Sequence, residues 1–326
     1  MKPYIYVTRK LPEASLQRLR QKFEVGMWPE EALPVPEETL LQAAKRADAL
    51  LTVVSDPVGS NLFEVAEKLK IIANMGVGYD NIDVEAASSN GIIVTNTPDV
   101  LSETTADLTF ALLLAAARRV VEAAEYVKAG KWESWSPFLL AGQDIHHKTI
   151  GICGMGNIGQ AVARRAKGFG MEILYYNRSR KREAEKEIGA RYCGFDQLVE
   201  DSDYLVAMTP LTEDTRHLFN EEVFKRMKNT AIFINASRGA VADEAALVSA
   251  LKNGEIAGAG LDVFDQEPIG PEHPLLSLPN VVALPHIGSA TMETRLKMID
   301  ICIDNIERVI TGRVPVTAVN QSILNG

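Results

Sequence analysis

Cysteine is scarce in this chain. Cys153, Cys193 and Cys302 are scattered through 326 residues and odd in number. No Cys or His spacing suits a metal, so no metal site is assigned, and a reducing cytoplasm is the expected location. Long apolar runs are also missing. The longest, Phe110 to Ala117, is far short of the ~20 residues a membrane helix needs, and it ends at Arg118 and Arg119. The opening MKPYIYVTRK lacks the apolar stretch of a secretory signal. Basic residues are in deficit: 34 Lys and Arg stand against 43 Asp and Glu, for a net charge of −9. Neither a membrane nor a nucleic acid is therefore an expected partner. What remains is an ordinary globular balance, 46% hydrophobic and 24% charged, long enough for two domains.

Strand-like and helix-like segments alternate. YIYVT (4–8), ALLTVV (49–54), KIIANM (70–75) and IIVTNT (92–97) read as apolar strands joined by helical connectors. A single long helix is expected next, opening at Ser102 and Glu103 and stopping at Gly130. Much of it is apolar, which suggests burial between layers or subunits. The alternation then restarts with TIGICG, EILYYN, YLVAM, AIFINA, AGAGLDV and VVALP, six strands between residues 149 and 285. Near-continuous apolar strands separated by helices imply parallel sheets covered on both faces. The fold class expected is α/β, with two doubly wound parallel-sheet domains. The first spans 1–100 plus 289–326. The second, 101–288, is a Rossmann dinucleotide-binding domain. An amphipathic helix from Thr291 to Gly312 is expected to return to the first domain.

The second series opens with GICGMGNIGQAVARRAKGFG, in which Gly154, Gly156 and Gly159 fit G-x-G-x-x-G between a strand and a helix. Gly154 permits the tight turn, Gly156 admits a pyrophosphate to the backbone, and Gly159 lets helix and strand pack closely. The N–H groups near Asn157 and Ile158, at the helix start, would face the phosphates. An Asp or Glu that holds the adenosine ribose is expected about 20 residues on. That place is taken by Asn177, Arg178, Ser179 and Arg180. A carboxylate there would repel a 2′-phosphate, whereas Arg178 can pair with one and Asn177 and Ser179 can add neutral hydrogen bonds. NADP(H) is therefore the expected coenzyme, with NAD(H) possible; a solvated basic loop is the plainer alternative.

Reduction of a ketone by a nicotinamide needs a substrate anchor, a proton donor and a group that tunes the donor. Three candidates follow strands, where open α/β sheets place their sites: Arg238 in AIFINASRGA, Glu267 in LDVFDQEP and His286 in VVALPHIGSA. Arg238 can donate in bidentate fashion to a carboxylate and a carbonyl oxygen. His286 can give a proton near neutral pH, and Glu267 would orient its ring and favour the imidazolium. Taken singly, each also fits a surface charge or a loop residue. His146, His147, His217 and His273 are expected to be merely solvated.

The motifs MGVGYDNID (75–83), GMGNIGQAVA (154–163), INASRGAVADEAAL (234–247), GLDVFDQEP (260–268) and LPHIGSAT (284–291) stand in an order that resembles the D-isomer-specific 2-hydroxyacid dehydrogenase family. They cover nearly the whole chain. Asn177 to Ser179, GKWESWSPFLLAG (130–142) and HPLLSLPNVVALPHIGSAT (273–291) are most similar to its glyoxylate/hydroxypyruvate reductases. The resemblance implies that Arg238 holds the substrate carboxylate, that His286 is the acid/base and that Glu267 is its partner. It further implies that the Val77 and Gly78 N–H groups bind that carboxylate, with Ser289 near the substrate. Thr105, Thr209, Pro210, Ala236, Asp262 and Gly288 are placed at the cofactor, Asp262 near the nicotinamide amide. Trp135, on a dimerisation arm, would reach a partner's active site; a packed aromatic is the alternative reading.

The expected reaction is NADPH-dependent reduction of glyoxylate to glycolate, and of hydroxypyruvate to D-glycerate, by a homodimer that binds the 2-oxo acid between its domains. A 2-ketogluconate reductase or another D-2-hydroxyacid dehydrogenase shares the same machinery, and only the pocket, with Ser55 to Val58, Trp135 and Ser289 as candidates, would separate them. A dinucleotide-sensing binding protein resembling transcriptional corepressors is the rival from another class. The deficit of basic residues disfavours it.

Overall fold

A computed structural model describes residues 2–325. The chain divides into two compact units, one made of Met1–Leu101 with Ala290–Gly326 and one of Ser102–Ser289.

The first unit holds five parallel strands: β1 (Tyr4–Val7), β2 (Glu24–Met27), β3 (Ala49–Val53), β4 (Ile71–Met75) and β5 (Ile93–Thr95). Their order is β2-β1-β3-β4-β5, a doubly wound arrangement that reverses between β1 and β3. Ile5, Leu50, Ile71 and Ile72 are fully buried, and each such side chain contributes ~1.5–3 kcal/mol relative to exposure. The helix Met292–Ile310 lies against β3 and β4 of this unit. Beyond it the chain covers the open edge of β5: Val319 N–H donates to Val94 O (2.8 Å), and Asn320 Oδ1 accepts from Val94 N–H (2.9 Å). Covering an edge in this way removes a site of unwanted strand pairing.

The second unit continues with β6 (Thr149–Cys153), β7 (Glu172–Tyr176), β8 (Arg191–Tyr192), β9 (Tyr204–Ala207), β10 (Ile232–Asn235), β11 (Gly258–Leu261) and β12 (Val281–Ala283). All pair in parallel, in the order β12-β11-β10-β9-β6-β7-β8. This is the Rossmann order with one further strand, and its reversal lies between β6 and β9. The expected six strands are all present. The seventh, β8, is a two-residue edge strand with no apolar run to announce it.

The expected single helix from Ser102 to Gly130 is two helices, Ser102–Ala117 and Val120–Lys128. Arg119 takes a left-handed backbone, φ 53°, and donates to Glu122 at 2.8 Å through two guanidinium nitrogens. Only the first helix is apolar enough to be buried; the second has no buried residue. Among the described residues no helix is long and apolar enough to cross a membrane.

Candidate active site

The glycine turn follows β6. Gly154 has φ +107°, and a Cβ on it would lie 2.4 Å from the Met208 carbonyl oxygen, so a side chain is excluded twice over. A Cβ on Gly159 would lie 2.1 Å from Gly154 O, which fixes how closely the helix Asn157–Gly168 can approach the strand. Gly156 is different: its Cβ would meet nothing within 4 Å. The turn therefore leaves room beside a bare backbone at the start of a helix whose first N–H groups have no helical acceptors, which suits a pyrophosphate. Across the sheet reversal, just beyond β9, the buried Thr209 hydroxyl has no hydrogen-bond partner among the described residues. An unsatisfied buried polar group costs ~1–3 kcal/mol, so this atom also fits a ligand. A dinucleotide matches both features; Pro210 is exposed beside it.

The loop after β7 is built around Tyr175. Its hydroxyl donates to Glu185 Oε1 (2.7 Å) and accepts from Lys181 N–H (2.8 Å). Arg180 donates to both Glu185 oxygens, at 2.7 and 2.9 Å. Arg180, aided by Tyr175, holds the Glu185 carboxyl well below the usual range, at about 2. Burial and the Glu185 contact push the Tyr175 phenol up to about 12, so it keeps its proton. Asn177 is also committed: Oδ1 accepts from Met155 N–H (3.2 Å) in the glycine turn, and Nδ2 donates to Ser179 O (2.8 Å). The amide expected to offer hydrogen bonds to a phosphate thus ties the two loops together. Arg178 is left exposed, and among the described residues it has no hydrogen bond or ion pair.

Three further loops, following β10, β11 and β12, carry Arg238, Glu267 and His286. Buried Asn235 shapes the first: Oδ1 accepts from Ser237 N–H (3.1 Å) and Oγ (2.9 Å), and Nδ2 donates to Arg238 O (2.9 Å). Gly239 then passes so close to the β11 loop that a Cβ would lie 1.8 Å from the Phe264 carbonyl carbon. In that loop Glu267 Oε1 accepts from Phe264 N–H (3.0 Å). Its Oε2 lies 2.6 Å from His286 Nδ1. Burial raises the Glu267 pKa, but the hydrogen bond and charge of His286, the Phe264 N–H and the Arg238 charge together pull it below the usual range. Arg238, Glu267 and His286 are therefore neighbours electrostatically.

His286 sits at φ 53°, where non-glycine residues are uncommon and strain gathers at functional sites. Asp262, almost fully buried, holds it there. Its carbonyl accepts from His286 N–H (2.9 Å), and its carboxylate accepts from Ile287 and Gly288 N–H, each at 2.8 Å. Burial nevertheless raises the pKa of this carboxyl. Asp262 thus has a structural task that the sequence did not disclose. Gly288 lies against it and against Thr105: a Cβ would be 3.2 Å from Asp262 Oδ2 and 3.4 Å from Thr105 Cγ2. Ala236 is buried and Ser289 half-buried at the neighbouring strand ends.

His273 is not merely solvated. Its Nε2 lies 3.3 Å from Glu244 Oε2, its ring meets Phe264 edge-on, and its buried Nδ1 has no partner among the described residues. Glu244 Oε1 accepts from Asp265 N–H (2.8 Å), so this pair braces the loop that carries Glu267. Glu244 and His273 were missed because their contacts span the sequence, whereas the Asn235 side chain bonds locally, to Ser237 and Arg238, and its signal is a polar residue that ends an apolar strand. Val77 and Gly78 follow β4 in the first unit, half-buried. Trp135 is 81% exposed.

Residues 110–288, more than half of the chain, match the family described as D-isomer specific 2-hydroxyacid dehydrogenase, NAD binding domain. The chain belongs to this family. It is accordingly an oxidoreductase with a nicotinamide dinucleotide cofactor. A glyoxylate reductase from Korarchaeum cryptofilum (strain OPF8) is 51% identical over 325 residues, 99% of this chain and 98% of that relative. The protein TT0316 of Thermus thermophilus superposes with a TM-score of 0.91 at 44% identity, covering 97% of this chain and 99% of that one. An NADPH-dependent glyoxylate/hydroxypyruvate reductase from Sinorhizobium meliloti, solved with NADP and malonate, has a TM-score of 0.86 at 36% identity, covering 99% and 98%.

Proposed function

We propose that this D-2-hydroxyacid dehydrogenase reduces glyoxylate to glycolate, and hydroxypyruvate to D-glycerate, with NADPH preferred over NADH. The observation that carries the reading is the 2.6 Å contact of His286 Nδ1 with Glu267, beside Arg238 on the adjoining loop. The names of the relatives support the substrate class. When bound, the nicotinamide supplies the hydride that adds to C2 of the 2-oxo acid. The Val77 and Gly78 N–H groups hold the substrate carboxylate, which aligns C2. His286, its Nδ1 engaged by Glu267, gives the Nε2 proton to the carbonyl oxygen as charge develops there. Arg238 stabilises the same oxygen.

Arg178, exposed and without a partner among the described residues, carries the NADPH preference, because its guanidinium suits a 2′-phosphate. Between residues 120 and 139, Val120, Val121, Val127, Trp132, Trp135, Phe138 and Leu139 are all exposed, more than a lone surface residue explains. A second copy of the chain covers them in this reading, and sedimentation would show a dimer. The cytoplasm is the proposed location. A panel of 2-oxo acids assayed with both coenzymes tests the whole reading. The largest kcat/KM should fall to glyoxylate or hydroxypyruvate with NADPH; a clear preference for 2-ketogluconate or for NADH would overturn the corresponding part.

A further inference from the structure

Three successive residues after β4 have their carbonyls tied down. Gly76 O accepts from Thr97 N–H at 2.8 Å, Val77 O from Asn96 Nδ2 at 2.8 Å, and Gly78 O from Asn74 Nδ2 at 2.9 Å. Asn74 is itself fixed, because it is fully buried and its Oδ1 accepts from Thr52 Oγ1 (3.1 Å). Asn96 stands just beyond β5 and is held by its own backbone: its carbonyl accepts from Thr317 Oγ1 at 2.6 Å, and its N–H donates to Thr317 O at 3.3 Å. Gly76 passes close to Val54: a Cβ on it would lie 2.3 Å from Val54 Cγ1, so a side chain there would force a shift.

A trans peptide is planar, and its N–H points opposite to its C=O. Fixing Gly76 O therefore aims the Val77 N–H, and fixing Val77 O aims the Gly78 N–H. Both carbonyls are bound by the same short segment, Asn96–Thr97, so both N–H groups face away from it. Among the described residues no hydrogen bond uses either N–H, although the two residues are only half exposed. Successive free N–H groups held on one side make an anion-binding surface.

We infer that Asn96, with Asn74 behind it, is a positioning residue for the substrate carboxylate: its side-chain amide anchors the Val77 carbonyl and thereby turns the Gly78 N–H toward the anion. This deepens the proposed function and rests on its assignment of the Val77 and Gly78 amides to the carboxylate. Asn96 touches no substrate. Its effect is to pre-set donors that would otherwise rotate freely between binding-competent and idle orientations.

Two variants test it. Asn96→Ala removes the anchor, and Asn96→Leu removes it while keeping most of the volume. In both, KM for glyoxylate should rise about tenfold, the scale of one weakened charge-assisted hydrogen bond, while NADPH affinity stays within about twofold. A residue that only fills space would leave Asn96→Leu near the parent. In parallel, protein labelled with heavy nitrogen at valine and glycine is titrated with oxamate, a non-reducible carboxylate analogue. Shifts at the Val77 and Gly78 amides of the parent, weakened in the variants, support the inference. No shift in the parent sinks both the amide assignment and the inference. Parent shifts with undiminished oxamate binding and unchanged KM in both variants sink the inference alone.

Discussion

Replacing Glu267 by Gln removes one charge and almost no volume. The carboxylate serves two donors: Oε1 accepts from Phe264 N–H, and Oε2 faces His286 Nδ1. Glutamine has a single acceptor oxygen. If that oxygen keeps Phe264 N–H, the NH₂ group faces Nδ1, which must then be an unprotonated acceptor; the charged ring is disfavoured. Unit charges about 4 Å apart attract by about 4 kcal/mol at an effective dielectric of about 20. The His286 and Glu267 side chains are 31% and 33% exposed, so solvent screening reduces this to ~1–2 kcal/mol. The alkaline limb of kcat/KM for glyoxylate reduction should therefore move to lower pH. The acid side follows from the opposite sign. Glu267 is held below the usual carboxylate range, so the stability of the pair is complete above that range and lost as pH falls through the depressed value. An acid limb from this source should be absent in the variant. Profiles of parent and Glu267→Gln measured side by side decide the matter, and superimposable curves would refute this account of Glu267.

His286→Gln should lower kcat by ~10²–10⁴-fold while NADPH binding, followed by fluorescence titration, stays close to the parent; normal turnover would remove His286 from the chemistry. Arg178→Ala should weaken NADPH by about tenfold or more, the scale of a lost charge-assisted hydrogen bond, and leave NADH nearly unaffected. Equal effects on the two coenzymes would point instead to a general electrostatic role. Gly239→Ala and Gly156→Ala should separate stability from binding. The first drives a Cβ into the Phe264 backbone and should cost ~1–3 kcal/mol or more in thermal unfolding. The second adds a methyl to open space, so stability should hold while NADPH affinity falls.

The strands that build both sheet interiors are legible because they are buried on both faces and read as unbroken apolar runs. Edge strands β2 and β8 are not: EVGM and RY have one partner strand each, carry exposed residues and need no such run. The break at Arg119 is equally invisible, because arginine is a good helix former and its left-handed turn is stabilised by contacts rather than propensity. The strand-end placement of Arg238, Glu267 and His286 follows from the parallel fold. What braces them does not: Asp262 holds residues 286–288, and Glu244 holds Asp265 across 21 positions. Such pairs carry no local signature. His273 looked solvated for the same reason, since its partners, Phe264 and Glu244, are brought to it only by the fold.

The central claim is hydride transfer to a small 2-oxo acid with His286 as proton donor. It is tested most directly by following NADPH absorbance after glyoxylate is added to the purified full chain, with product identified by chromatography. The account predicts rapid, glyoxylate-dependent oxidation of NADPH with stoichiometric glycolate. A flat trace from protein that binds NADPH tightly would contradict it and leave a nucleotide-binding protein in its place.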